Sequence, residues 1–209
     1  MSGSEYITRL LEFYAIKYVE DIMDYAEIDK YIDVVENNNP FLVDNIIPDY
    51  VSESDLKFIL TSLIKERVSV KDIIYIFEKL NDYAGDCPRA DLLAKIRLSL
   101  AKQICKPLAN ENGLISAFEL SDTTYDEFIP GIDNDENYVV KIDGDFAEKL
   151  AVKISKKAKK YEISSPVIVV PMEIRGLMYS LLSVYLNNIT VITREEIGCN
   201  YSLDIIATI

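Results

Sequence analysis

Three capped amphipathic segments between Ile47 and Ile104 constrain the fold of this chain more than any other feature. In each segment the apolar residues recur with the 3.6-residue period of a helix that buries one face. Ser52 and Ser69 are placed to cap the first two, and Gly85–Pro88 precedes the third. The pattern predicts a compact helical subdomain with a winged-helix-like arrangement, and no catalytic motif lies within it.

The residues before this subdomain also predict helices. The first is expected from Glu5 to about Val19, and a second starts where Asp24 and Glu27 have the spacing of a capping box. Pro40 suits the first position of a short third helix, which Pro48 closes. We therefore expect a helical segment over residues 5–50.

After the turn-rich stretch Asn110–Gly113 the pattern changes to alternating strands and helices. Val167–Val170 is a continuous apolar run of the kind found in buried, often parallel, strands. Other strands are predicted at Leu114–Leu120, Tyr138–Ile142, Ile189–Thr193 and Leu203–Ile209, with helices at Asp122–Ile129, from Asp145 onward and at Glu173–Leu186. The whole chain is therefore predicted to be α+β, with a helical segment (5–50), a helical subdomain (51–109) and a small α/β subdomain (110–209).

The charge of the chain favours a protein partner over nucleic acid. The net charge is −13, and residues 5–50 carry eleven acidic residues against three basic ones. Such a surface repels phosphate backbones, whereas a basic or amphipathic protein segment would be attracted. The plainer alternative is a solvated acidic face. The lysine run between Lys153 and Lys160 would suit acidic lipid or nucleic acid, but it is more typical of the solvated side of an amphipathic helix.

Composition argues against an enzyme or a metalloprotein. The chain has no histidine, which removes the usual general base and the commonest metal ligand. Its three cysteines share no metal-binding or disulfide spacing and suit reduced thiols. Asp133, Asp135 and Glu136 resemble the start of a calcium loop but lack its glycine and distal glutamate. We therefore predict no catalytic residue, no cofactor and no bound metal.

A DNA-binding regulator is the alternative from another functional class, because the helical subdomain has a winged-helix flavour. Its recognition helix would be Val70–Tyr83. Lys71 and Lys79 are outnumbered there by the acidic residues Asp72, Glu78 and Asp82, which makes a poor phosphate-binding surface. No window reaches the roughly 18 uninterrupted apolar residues of a membrane span, and no signal peptide is expected.

Nearly the whole chain resembles the FHIPEP family of type III export-gate proteins, and two parts carry most of the resemblance. The first runs from Leu42–Pro48 through Leu56–Leu63 to Glu66–Asp72, and the second is Pro166–Leu182. The ending Ile205–Ile209 is more similar to the virulence (injectisome) branch of the family than to the flagellar branch. The resemblance implies the C-terminal cytoplasmic part of an inner-membrane protein, with this chain soluble by itself. It also implies a ring, commonly of nine subunits, that receives chaperone–substrate complexes and helps to order export.

The resemblance further implies site residues. Aligned on Pro40 and Pro48, the acidic, aromatic and hydroxyl positions of the family's docking dimple fall on Glu20, Met23 and Ser54. Met23 departs from the aromatic residue of the family, and it would equally suit the core. Ring contacts in the family lie largely in the helical subdomain, which makes the charged residues candidates for the oligomer interface, with solvated surface charge as their alternative. These residues are Glu66, Arg67 and Arg97.

Overall fold

The computed structural model of this chain describes residues 2–85, 88–128 and 144–209. The chain divides into two compact units, unit 1 (Met1–Gln103) and unit 2 (Ile104–Ile209). The division into two units does not test the three-part division expected from the sequence, which stays a prediction.

The predicted α+β class is confirmed, because the described residues combine many helices with a four-stranded parallel sheet. Several predictions fall on residues that the structure does not describe: the strand Tyr138–Ile142, the acidic residues Asp133, Asp135 and Glu136, and Cys87. No helix among the described residues combines the length and the apolar character that a membrane crossing requires.

The described residues of unit 1 form helices joined by short connections. Its helices are α1 (Gly3–Lys17), α2 (Val19–Ile22), α3 (Tyr25–Asn38), α4 (Pro40–Asp44), α5 (Glu53–Lys65), α6 (Ile73–Tyr83) and α7 (Arg89–Ser99). A further short helix, α8 (Ala101–Cys105), spans the residues at which the two units are divided.

Local capping explains where most of these helices begin. The Asp24 side chain accepts the backbone N–H of Glu27 at 2.9 Å, which starts α3. Pro40 occupies the first turn of α4, where its missing N–H has no intrahelical partner to lose. Ser52 and Asp55 form a complete capping box at α5, with the Asp55 N–H donating to Ser52 Oγ at 3.1 Å. The starts predicted for these three helices are therefore confirmed.

The predicted cap at Ser69 is wrong, because α6 begins after Asp72, whose side chain accepts a backbone N–H three residues further on. Ser69 Oγ instead accepts the N–H of Lys71 at 3.3 Å, a local bond that competes with helix formation. Val68 and Val70 are both buried, and residues two apart face the same side only in an extended segment. Burial of these valines therefore delays the helix.

The helix predicted from Pro88 to about Cys105 is interrupted at Leu100. The Tyr75 hydroxyl donates to the carbonyl oxygen of Ser99 at 3.3 Å, and the Gln103 N–H bonds to the Leu100 carbonyl three residues back. This tighter turn separates α7 from α8.

The core of unit 1 is formed where the apolar stripes of α5, α6 and α7 meet. The side chains involved have at most about 1% of their surface exposed, and they are Leu56, Ile59, Leu60, Leu63, Ile76, Phe77, Leu80 and Ile96. Apart from Ile76 they follow the 3.6-residue period of the predicted helices, whereas Ile64 and Ile74, which that period also predicted to be buried, are only partly buried.

The described residues of unit 2 form a sheet of four parallel strands in the order β3-β2-β1-β4. The strands are β1 (Leu114–Glu119), β2 (Val167–Val169), β3 (Thr190–Ile192) and β4 (Ser202–Thr208). The helices described between them are α9 (Asp122–Phe128), α10 (Gly144–Lys160), α11 (Met172–Leu182) and α12 (Arg194–Ile197). Because all four strands run the same way, their carboxyl ends meet at one edge of the sheet.

The core of unit 2 lies between the sheet and its helices. Phe118 on β1, Phe128 on α9 and Ile154 on α10 are completely buried. On α10 the buried residues Leu150, Ile154 and Ala158 recur every four positions. The lysines lie on the exposed side, as expected for the solvated side of an amphipathic helix, and they include Lys153, Lys156, Lys159 and Lys160.

Candidate protein-docking surfaces

The docking residues expected from the family resemblance lie on two helices of unit 1 that contact each other, α2 and α5. Glu20 is exposed on α2, and Ser54 is exposed in the first turn of α5. Met23, at the end of α2, has only 5% of its surface exposed. Met23 therefore packs inside unit 1, as the core alternative requires, while the other two residues face solvent.

Two lysines of α5 set the electrostatics around Glu20. Lys65 donates a hydrogen bond to the Glu20 carboxylate, and this bond, together with the charge of Lys65, lowers the pKa of Glu20 below its ordinary value. The charge of Lys57 acts in the same direction more weakly. Lys57 also lies 5.2 Å from the centre of the Tyr25 ring, a cation–π distance. The surface expected to dock partners is therefore a mixed acidic, basic and aromatic surface.

Two of the three residues expected at an oligomer interface form a buried ion pair. Arg97 Nη1 lies 2.9 Å from Glu66 Oε2, and the two side chains are 2% and 7% exposed. The pair connects α7, which contains Arg97, to Glu66, the residue that caps the carboxyl end of α5. Neither residue is the solvated surface charge that the sequence left as the alternative. An interface role for them stays a prediction, and it would have to operate through the packing of α5 and α7.

Arg67 is the one residue of these three that presents its charge at the surface of unit 1. Its side chain is 45% exposed and pairs with Glu12 of α1. Its φ of 59° lies in the left-handed region that favours glycine. The reason is the end of α5, where the Val68 N–H returns to the Leu63 carbonyl at 2.8 Å and closes the helix.

An acidic stripe runs along the exposed side of α3. Asp29, Asp33 and Glu36 are spaced four and three residues apart, so they lie on one face, and all are exposed. Phe41, which follows on α4, has 74% of its surface exposed. The exposed acidic groups of α3 and the exposed aromatic ring on α4 each suit a basic amphipathic partner, as the composition of residues 5–50 predicts.

A cleft in unit 2 was not predicted from the sequence. It has a volume of about 910 Å³ and opens at the carboxyl edge of the parallel sheet. Residues from the ends of β1, β2 and β4 and from the starts of α9, α11 and α12 line it. The parallel arrangement of the strands is the signal from which it could have been predicted, because ligands of open parallel sheets bind outside the carboxyl ends of the strands.

Among the residues that the structure describes, no group of three or more acidic or cysteine side chains is arranged to hold a metal ion. Cys105 is buried, and its thiol donates to the Glu196 carbonyl at 3.4 Å, whereas Cys199 is exposed.

Residues 1–202 match the FHIPEP family over almost the whole chain. The chain belongs to the FHIPEP family. Among the curated FHIPEP proteins, it is 26% identical over 198 residues to the flagellar biosynthesis protein FlhA of Bacillus subtilis. That match covers 92% of this chain and 29% of FlhA, so the chain spans less than a third of that relative.

Solved structures of secretion proteins share the fold. The Shigella flexneri MxiA protein superimposes with a TM-score of 0.88 at 23% identity, covering 100% of this chain and 66% of that one. Nonameric SctV-C from EPEC superimposes with a TM-score of 0.83 at 19% identity, covering 97% and 62%. FHIPEP proteins are export-apparatus components for protein transport, so this assignment gives the DNA-binding alternative no support. In addition, Lys79 of the expected recognition helix is paired with Asp82 at 2.6 Å.

Proposed function

We propose that this chain is the cytoplasmic, ring-forming part of a type III export gate that docks chaperone–substrate complexes and helps to order their export. The supporting observation is the FHIPEP match over residues 1–202, in a chain that shares the fold of a protein solved as a nonamer. In this proposal the role is binding and assembly, without catalysis or a cofactor. The parent protein is placed in the bacterial inner membrane, and other export-apparatus components are further partners.

The virulence branch is part of the proposal and rests on the ending Ile205–Ile209, which includes the last residues of β4. The curated relative from Bacillus subtilis described above is a flagellar FlhA protein, while MxiA and SctV-C are similar in structure. The two branches can be separated by complementing a strain that lacks its own injectisome gate with a gate that carries this domain, and then measuring secretion.

Ring formation is tested by light scattering over a concentration series at low and moderate salt. The mass is expected to rise from 23.8 kDa toward nine times that value. Arg67→Glu should hold the chain at lower mass, because it reverses a charge that lies at the surface of unit 1. Arg89→Glu is the matched control, since Arg89 is similarly exposed at 52% in the same unit. A monomer at every concentration would contradict ring formation by this chain.

Docking is tested by calorimetric titration with purified chaperone–substrate complexes of the same organism. Reversal of the acidic residues of the first quarter, beginning with Glu20→Lys and continuing with Asp29→Lys and Asp33→Lys, is expected to weaken binding stepwise. Glu111→Lys in unit 2 makes the same charge change outside this surface. Unchanged binding across the unit 1 series would contradict the docking role.

A further inference from the structure

The cleft of unit 2 lies where the order of the parallel strands reverses. The chain passes from β1 to its neighbour β2 and on to β3, and then returns to place β4 on the other side of β1. At this edge, residues at the carboxyl ends of β1, β2 and β4 and at the starts of α9, α11 and α12 line a space of about 910 Å³. Such a reversal is the usual position of a binding crevice in an open parallel sheet.

The cleft has an apolar floor and an acidic rim. Leu120, Val169, Val170 and Pro171 supply apolar surface at the ends of β1 and β2. The rim carries the carboxylates of Glu119, Asp122, Glu173 and Glu195. The last three lie in the first turns of α9, α11 and α12, where a negative charge interacts favourably with the helix dipole.

The one arginine that lines the cleft among the described residues does not cancel this charge. Arg194 pairs with Glu119, and the two side chains are 62% and 34% exposed. An ion pair exposed to this degree contributes little, so a cationic group from a partner can replace Arg194 at Glu119 at small cost. The remaining three carboxylates stay at the mouth of the cleft in either case.

We propose that this cleft binds a basic amphipathic segment of a partner protein, with apolar side chains on the floor and lysine or arginine side chains at the rim. The charge complementarity decides the class of occupant, because an acidic rim repels nucleic acid and anionic lipid. The site is a second docking surface, beyond the surface proposed on unit 1 and independent of ring formation. A chain that stays monomeric would leave this inference standing.

The test is a titration of the isotope-labelled full chain, followed by two-dimensional NMR of the backbone amides. The probe is a synthetic peptide of about five helical turns, with leucines on one face and lysines on the other. Saturable shifts are expected at Leu120, Val170 and Glu195, which mark three sides of the cleft. Site-resolved signals separate this binding from any attraction of the peptide to the acidic helices of unit 1.

Charge reversal at the rim tests the proposal quantitatively, through the Kd of the peptide. Glu173→Lys combined with Glu195→Lys is expected to raise the Kd read at the cleft amides by about tenfold or more. The matched control combines Glu111→Lys with Glu162→Lys. These exposed residues precede β1 and β2 and therefore lie toward the amino edge of the sheet, and the change in net charge is the same.

Four outcomes would overturn the proposal. The first is that the control variant weakens binding as much as the rim variant, and the second is that the peptide shifts only amides of unit 1. The third is that a peptide with glutamate in place of every lysine binds the cleft equally well. The fourth is that magnesium or calcium alone produces the same saturable shifts, which would make the cleft a cation site.

Discussion

The buried ion pair between Arg97 and Glu66 leads to the sharpest prediction about stability. At 2.9 Å, two unit charges attract by about 6 kcal/mol at the effective dielectric constant of about 20 that suits proteins. Each ion also loses several kcal/mol of hydration when it is buried, so the intact pair contributes little net stability. Arg97→Met removes the attraction but leaves the Glu66 carboxylate desolvated at 7% exposure. We therefore expect the free energy of unfolding to fall by about 3–5 kcal/mol.

The assay is urea denaturation followed by far-UV circular dichroism, with the transitions of the two units fitted separately. Arg89→Met is the matched control, because Arg89 lies 3.9 Å from Asp55 in an exposed pair and 4.5 Å from the Phe58 ring. Those contacts together are expected to contribute about 1 kcal/mol or less. The loss caused by Arg97→Met should therefore exceed the control severalfold.

A double substitution isolates the cause. When Glu66→Leu is added to Arg97→Met, neither charge of this buried pair is left, and much of the lost stability should return. Removing Glu66 also removes a negative charge from the carboxyl end of α5, where the helix dipole disfavours it. The reasoning is refuted if Arg97→Met costs no more than Arg89→Met, or if the two core substitutions are simply additive.

Three further predictions concern other parts of the chain. Ser52→Ala removes the capping box of α5 and should cost about 1 kcal/mol in urea denaturation, whereas Ser54→Ala, in the same helical turn, should cost less. Phe118→Ala empties a fully buried site and should lower the stability of unit 2 by about 3–5 kcal/mol, and a loss below about 1 kcal/mol would contradict its core position. Because Lys65 lowers the pKa of Glu20 in the folded state, the wild type should be more stable than Glu20→Gln above pH 4.5. In an acid titration, this difference in stability should disappear as the pH falls through the folded pKa of Glu20.

The sequence predicted most helices and strands because their signals are local. Asp24, Pro40 and Ser52 each start a helix by bonding or conformational preference within one turn, so the residues themselves are enough to place the boundary. The prediction failed at Ser69, where burial of Val68 and Val70 overrides a good capping residue. It also missed the break at Leu100, which depends on a hydroxyl group from a different helix.

The candidate sites were predicted less completely, because burial depends on residues far apart in the chain. Glu20 and Met23 are three residues apart, yet one is exposed and the other is packed inside unit 1. Glu66 and Arg97 are typical surface residues by type, and only the packing of α7 against the end of α5 encloses them. No pattern in the sequence predicts the contact between α7 and the end of α5.

The sequence by itself determined the α+β class, the acidic character of the chain and its membership of the FHIPEP family, since composition, period and motif are all written along the chain. Tertiary structure alone decided which charges are buried and where a cleft opens. The acidic rim brings Asp122, Glu173 and Glu195 together from three separate connections, because parallel strands place all their carboxyl ends at one edge. Such a surface exists only once the strand order is set.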